Sequence, residues 1–228
     1  MKNNFPKTAA DFLSKLSRNN NRDWFEDHRD DYKAMLLEPA QEFVMEMGKR
    51  LQSIRSNIIA IPKIDKSIFR LHRDVRFGKD KLPYKTNLGI ILWEGDDKKL
   101  ESSGFYFHVE PKYFFLGGGT YMFSDNMIKV YREALTDKAA GEQITKAIKK
   151  VSKLGYKIGG KHFKRLPKGF DGTFPYAELL LHNGLYCFYE SKDVSQLKPK
   201  TIIDYCFNHF KAMLPVHSWL TDVLPLFR

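Results

Sequence analysis

The spacing of apolar residues predicts helices in the first third of the chain. A short helix is expected over residues 8–18, with Thr8 as its N-cap. The run Asn19–Asn21 predicts the end of this helix and the cap of the next one, because asparagine side chains accept hydrogen bonds from the free N–H groups of a helix N-terminus. After Pro39, apolar residues again recur at helical spacing up to about Ser53.

The middle of the chain predicts a sheet. Residues 68–72 and 105–109 alternate between apolar and polar side chains, which is typical of strands with one buried face. Residues 88–93 are apolar on both faces, as in a central strand. A turn then predicts a further strand over 113–116, which is expected to end at Gly117–Gly119.

The second half predicts two more helices, one strand and a helical C-terminus. The helices are expected over residues 124–135 and 138–154, and the strand over residues 185–189. The tail is apolar-striped from Lys200, with a restart of the helix expected at Pro215.

These elements predict an α+β fold. A mostly antiparallel sheet, built from about residues 68–117 and the later strand near 185–189, carries N-terminal, central and C-terminal helices. The chain has 228 residues, which suits one compact domain, and it contains no internal repeat, low-complexity tract or long linker. We therefore expect residues 1–228 to form a single domain.

Composition favours a globular protein of a reducing compartment. Hydrophobic residues make up 43% of the chain, and no apolar stretch is long enough to cross a bilayer. Cys187 and Cys206 offer neither a disulfide framework nor a metal-ligand spacing. With no apolar core of a signal peptide near Met1, the protein is expected to be cytoplasmic and not bound to membranes. No pattern indicates a particular cofactor or oligomeric state.

Positive charge is concentrated in two segments. The net charge is +11, and residues 63–85 hold eight Lys/Arg against three Asp, a net charge of +5. Residues 146–168 hold nine Lys/Arg and no acidic residue, a net charge of +9. Local positive potential of this kind attracts phosphates, nucleic acids or acidic partners. For residues 146–157 the spacing is also that of a solvated lysine face on a helix.

Residues 70–85 are the strongest candidate for a binding site. Arginine offers a planar fork suited to carboxylate or phosphate, and lysine adds a mobile point charge. Asp74 is expected to orient one of the arginines, since a carboxylate facing an incoming anion would repel it. The alternative is a structural network of ion pairs at the rim of the sheet. The predicted anion-binding residues are Arg70, Arg73, Arg76, Lys81 and Lys85.

Two further groups are weaker candidates. Tyr106, His108 and Glu110 share one face of a strand, where imidazole and carboxylate could act as base and orienter or as two metal ligands. An ordinary polar surface or a buried hydrogen-bonded pair would have the same pattern. Arg165 and Lys168 lie in a basic turn that could add cations to the anion site, although an exposed loop explains them almost as well.

Sequence blocks across most of the chain also match a known family. In these blocks and in their order, the chain resembles a domain-of-unknown-function family of conserved hypothetical proteins from bacteria and fungi. The resemblance implies a single domain over the whole length and no established activity. The blocks are FLSKLSRNNNRDWFEDHRDDY (12–32), FRLHRDVRFGKDKLPYKT (69–86), GFYFHVEP (104–111), FLGGGTY (115–121) and RLPKGFD (165–171). The resemblance marks Arg70, Arg73, Asp74, Arg76, Lys81, Tyr84 and Lys85 as matching the signature.

The favoured function is binding of a phosphorylated or other anionic ligand at residues 70–85. Hydrolytic or transfer chemistry supported by His108 and Glu110 would extend it. The alternatives are a non-enzymatic nucleic-acid-binding protein that uses both basic segments, and an interaction module for an acidic protein partner. A small ligand predicts one concave site, whereas nucleic acid predicts a broad basic stripe with exposed aromatic residues beside it.

Overall fold

A computed structural model describes residues 4–76 and 81–227 of the chain. The α-helices within these residues are α1 (Lys7–Arg18), α2 (Arg22–Asp27), α3 (Arg29–Tyr32), α4 (Glu38–Gln52), α5 (Asp125–Thr136), α6 (Lys138–Lys153) and α7 (Ile202–Ser218). The strands are β1 (Ile58–Ile59), β2 (Leu88–Glu94), β3 (Ser103–Glu110), β4 (Tyr113–Thr120), β5 (Lys157–Lys161) and β6 (His182–Ser191).

The described strands form one six-stranded antiparallel sheet in the order β1-β2-β3-β4-β6-β5. The predicted α+β fold is therefore confirmed. Strand β3 alternates as expected: Phe105, Phe107 and Val109 are fully buried, while Tyr106 and His108 on the other face are half-buried.

The strand predicted over residues 68–72 is wrong. Ile68 forms an isolated bridge to Ile90 of β2, and His72 forms one to Tyr84. After Phe69 the chain therefore no longer pairs with β2, and His72 pairs instead with Tyr84, which lies later in the sequence but before β2. Alternation of side chains needs only an extended backbone, so it does not reveal which neighbour each residue pairs with.

The predicted end of a strand at Gly117–Gly119 is also wrong, because β4 runs through these glycines to Thr120. Close approach explains them. A Cβ at Gly118 would lie 2.8 Å from the Cβ of Met213, and a Cβ at Gly119 would overlap the carbonyl oxygen of Leu185. Gly119 also has a φ of +129°, which side chains rarely adopt.

The helix boundaries largely follow their sequence signals. The Asn21 side chain caps α2 by accepting a hydrogen bond from the backbone N–H of Trp24. The predicted cap at Thr8 is wrong, because α1 already begins at Lys7 and has no side-chain cap. Helix α7 runs through Pro215 instead of restarting there. No described helix is long and apolar enough to cross a membrane.

The chain divides into two compact units, and the first contains α1 to α4. The rings of Phe5, Phe43 and Phe107 form part of its core, with centroids 4.8 to 5.9 Å apart. All three side chains are fully buried. Unit 1 comprises Met1–Leu92, Tyr106–Leu116 and Glu190–Asn208.

Unit 2 contains α5, α6 and β5. Its core includes Phe123 and Tyr131, whose tilted rings have centroids 4.8 Å apart, and Trp219, which meets Tyr131 edge-on at 6.1 Å. Unit 2 comprises Trp93–Phe105, Gly117–Tyr189 and His209–Arg228.

Candidate functional site

The basic segment, defined here as residues 70–76 and 81–85, is held in unit 1 by a short antiparallel pairing. The Arg73 N–H donates to the Pro83 carbonyl at 2.8 Å, and the Lys85 N–H donates to the Leu71 carbonyl at 2.7 Å. This pairing flanks the bridge between His72 and Tyr84. By strand periodicity, Arg73 and Lys85 lie on the face opposite His72 and Tyr84. Residues Lys79 and Asp80 lie outside the described residues.

Asn20 fastens this pairing to the junction between α1 and α2. Its side-chain Nδ2 donates to the Tyr84 carbonyl at 3.0 Å, and the Tyr84 N–H donates to Asn20 Oδ1 at 3.1 Å. One amide side chain therefore satisfies both backbone groups of Tyr84, as a neighbouring strand would. The spacing of residues in the sequence does not reveal that Asn20 binds the backbone of Tyr84. The available signal was that Asn20 and Tyr84 both lie in blocks that resemble the family.

Aromatic stacking also fixes the position of Tyr84. The ring of Phe25 in α2 stacks on Tyr84 with centroids 4.2 Å apart and an interplanar angle of 13°. His72 contacts Tyr84 at 4.8 Å, and Tyr84 is only 2% exposed. Burial, followed by the nearby carboxylate of Glu26, raises the pKa of Tyr84, while the cation of Arg22 opposes the shift. The basic segment is thus anchored by backbone pairing, by an amide clamp and by stacked rings.

Asp74 grips Arg76 in a two-point ion pair. Arg76 Nε donates to Asp74 Oδ1 at 3.0 Å, and Arg76 Nη2 donates to Oδ2 at 2.7 Å. The Arg76 backbone N–H adds a third bond at 3.2 Å. Hydrogen bonding from the Arg76 side chain is the main reason that the pKa of Asp74 is lowered. The Arg76 side chain remains 75% exposed, so this pair orients the guanidinium more than it stabilises the fold.

Two more cations lie beside this pair. Lys81 Nζ donates a hydrogen bond to the Val75 carbonyl at 2.9 Å. Its ammonium group therefore lies at the backbone of the residue that precedes Arg76. The charge of Arg70 also lowers the pKa of Asp74, and Arg70 Nε lies 4.0 Å from Asp65. Three of the predicted anion-binding side chains therefore gather around residues 74–76. For Arg73 and Lys85, the backbone hydrogen bonds described above fix the position of the backbone and the face on which each side chain lies.

Tyr106, His108 and Glu110 form a hydrogen-bonded chain along one face of β3. The Tyr106 hydroxyl lies 3.1 Å from His108 Nδ1, and His108 Nε2 lies 3.0 Å from Glu110 Oε1. A carboxylate only accepts hydrogen bonds, so Nε2 carries the proton and Nδ1 accepts from the tyrosine hydroxyl. Since both ring nitrogens have partners, this arrangement favours base and orienter over a pair of metal ligands.

The absence of a side chain at Gly89 accommodates the tyrosine. The Tyr106 hydroxyl lies over Gly89, where a Cβ would come within 2.6 Å of it, and Phe69 meets the Tyr106 ring edge-on at 6.0 Å. On the other side of His108, the Tyr113 hydroxyl donates to Glu190 Oε2 at 2.6 Å. Burial and then this carboxylate raise the pKa of Tyr113. Among the described residues, no group of three or more His, Cys, Asp or Glu side chains could hold a metal ion.

Arg165 and Lys168 belong to unit 2 and are exposed. Their contribution to the anion site of unit 1 stays a prediction. The lysine-rich segment 146–168 is likewise in unit 2, where Lys161 pairs with Glu178 at 2.7 Å.

Unit 2 also contains a buried polar chain that sequence analysis did not identify. His217 Nδ1 lies 2.9 Å from Ser103 Oγ, and His217 Nε2 lies 3.0 Å from Glu94 Oε2. The residue types are those of a hydrolase triad, but the His217 side chain is 0% exposed, so a substrate cannot reach it. The three residues are too far apart in sequence for any motif to connect them.

The comparisons with known proteins give one positive result. A family model described as conserved hypothetical protein (DUF2461) matches residues 8–219. No match was found among curated proteins, and none was found among solved structures. The matched span includes Asn20, the basic segment and the Tyr106–His108–Glu110 chain.

Proposed function

The chain belongs to this family of conserved hypothetical proteins, and we propose that it binds a phosphorylated or other anionic ligand at the basic segment of unit 1. One observation carries the proposal. Backbone pairing, the hydrogen bonds from Asn20 and ring stacking fix the position of this segment, while its cationic side chains remain at the surface. Its described residues include five Lys/Arg and one acid, Asp74. An anion would offset the repulsion among these cations.

Preorganisation supports binding at this place. Ordering a flexible loop on binding lowers the affinity. In this protein the hydrogen bonds from Asn20 and the stacking of Phe25 on Tyr84 already order the segment when the chain folds. Asp74 holds the guanidinium plane of Arg76, so the ligand contacts Arg76 and Lys81 while Asp74 acts through Arg76.

The Tyr106–His108–Glu110 chain supports hydrolytic or transfer chemistry in the same unit. The order of groups is that of a nucleophile, a base and an orienter. His108 Nδ1 takes the proton of the Tyr106 hydroxyl, and Glu110 stabilises the imidazolium that results. The Tyr106 oxygen attacks the phosphorus of a phosphate ester, the ester oxygen leaves with the proton that His108 took up, and water then hydrolyses the phosphotyrosine.

Binding is tested by thermal unfolding with inorganic phosphate, pyrophosphate and nucleoside triphosphates. Ligand at about 100 times its Kd should stabilise the wild type by about 2.7 kcal/mol. Arg76→Ala and Lys81→Ala should lose this shift and keep nearly the same melting temperature without ligand, since exposed cations contribute little to stability. Arg76→Lys keeps the charge and loses the fork, and Lys129→Ala, at an exposed lysine of α5 in unit 2, is the matched control. Asp74→Asn should weaken binding and lower stability.

A wild type with no anion-dependent shift, combined with an Arg76→Ala variant that unfolds, would identify the basic segment as a structural ion-pair network.

Chemistry is tested separately with p-nitrophenyl phosphate and its diester. Tyr106→Phe should abolish turnover and leave the phosphate-dependent thermal shift in place. Anion binding without turnover in the wild type would retain the binding site and remove the catalytic role of His108.

A further inference from the structure

The outer face of β5 and β6 in unit 2 is aromatic and basic. In their antiparallel register, Lys157 lies opposite Phe188, and Gly159 lies opposite Tyr186. Cross-strand partners share a face of the sheet, so these four residues lie on one face. Cys187, on the other face, is 0% exposed and belongs to the core. The face that carries Tyr186 and Phe188 is therefore the outward one.

Three rings form a row on this face. The Tyr186 ring lies 6.0 Å from Phe188 on one side and 6.0 Å from Tyr121 on the other, measured between centroids. Tyr121 is 63% exposed. A side chain at Gly159 would overlap the Tyr186 ring, so this glycine lets the ring lie across β5. We call Tyr121, Tyr186 and Phe188 the aromatic row.

The segment that contains β5 carries only positive charge. Residues 146–168, which include part of α6 and all of β5, hold nine Lys/Arg and no acid. Lys146 and Lys161 pair with acids outside the segment, Glu142 at 3.8 Å and Glu178 at 2.7 Å. Lysines on an edge strand such as β5 also deter pairing with other strands, but that role does not explain a row of three rings.

A further cation of unit 2 lacks a partner for one of its donors. The guanidinium of Arg132 lies over the Phe163 ring, 5.2 Å from its centroid. Its Nε is buried and has no hydrogen-bond partner within residues 4–76 and 81–227. A buried donor without a partner is costly.

We propose that this face of unit 2 binds single-stranded nucleic acid. Unstacked bases lie on the aromatic row, and the phosphates are neutralised by the cations of residues 146–168. A duplex keeps its bases stacked inside, so it cannot use the rings in this way. This surface belongs to unit 2, whereas the proposed anion site belongs to unit 1.

The test is fluorescence anisotropy with a labelled oligothymidine of about 12 nucleotides, a length within the range that single-strand-binding modules cover. Tyr121→Ala and Tyr186→Ala should each weaken binding about tenfold. Tyr121 is the safer of the two positions, because its ring is mostly exposed. Lys157→Ala should also weaken binding, and added salt should reduce the affinity of the wild type steeply.

Two controls separate this site from others. Lys49→Ala changes an exposed lysine of unit 1 and should leave oligothymidine binding intact. Arg76→Ala tests whether the basic segment binds the oligonucleotide instead. Loss of binding with Arg76→Ala would place the nucleic acid on the basic segment and overturn the proposal for unit 2.

Three other results would also overturn it: no binding at low salt, equal affinity for a duplex or for polyglutamate, and loss of binding on removal of lysines with no effect of either tyrosine variant.

Discussion

Replacing Asn20 with alanine removes the two hydrogen bonds that clamp the backbone of Tyr84. A hydrogen bond of this kind contributes a net ~0.5–1.5 kcal/mol to stability. The pair is only partly buried, so water can replace some of what is lost. The expected decrease in the free energy of unfolding is therefore about 2 kcal/mol. Asn20→Asp keeps the acceptor for the Tyr84 N–H and loses the donor to its carbonyl, so roughly half of that effect is expected.

Asn19→Ala is the matched control. The neighbouring Asn19 donates one bond, to the Lys15 carbonyl at 3.0 Å, and that bond is exposed. Its removal should cost less than about 0.5 kcal/mol. Urea unfolding gives the global free energy, and amide exchange at Tyr84 reports local opening. A 2 kcal/mol loss at the clamp corresponds to roughly 30-fold faster exchange of the Tyr84 amide. If Asn20→Ala and Asn19→Ala have equal stability and equal Tyr84 exchange, the clamp does not hold the basic segment.

Two more predictions concern the histidines His217 and His209 of unit 2. His217→Ala removes the hydrogen bond between the imidazole and the Glu94 carboxylate in a buried position and should cost about 3–5 kcal/mol in urea unfolding, whereas Ser103→Ala should cost about 1 kcal/mol; equal effects would contradict the central place of the imidazole. Burial lowers the pKa of His209 below its ordinary value of 6.5, so on acidification through that value the unfolded chain binds a proton before the native protein does, and stability falls. His209→Gln should show a smaller drop in melting temperature between about pH 8 and pH 5.5 than the wild type, and identical slopes would refute this.

The candidate site was predictable where its residues are close in sequence. Tyr106, His108 and Glu110 share a face because side chains alternate along any strand, and their hydrogen bonds need only that one element. Asp74 and Arg76 pair for a similar reason, since two residues of separation suffice for the ion pair. Their roles in binding or catalysis stay predictions.

The errors came from positions where a local signal has more than one structural cause. Three glycines in succession are typical of a turn, but here they make room for Met213 and for the carbonyl of Leu185 inside β4. Proline usually ends a helix, yet Pro215 lies within α7. For the glycines, the deciding neighbours belong to other parts of the chain.

Sequence alone determined the α+β class, the order of most elements and the two basic segments, because hydrophobic periodicity, capping residues and charge act over a few neighbouring positions. Only the tertiary structure decided that Asn20 clamps Tyr84, 64 residues away, or that His217 joins Ser103 and Glu94 in the core of unit 2. Such contacts depend on how faces pack against one another, and many packings are compatible with the same local pattern. The physical reason is that a buried polar group must find a partner wherever the fold supplies one, and that place is not written in the spacing of the residues.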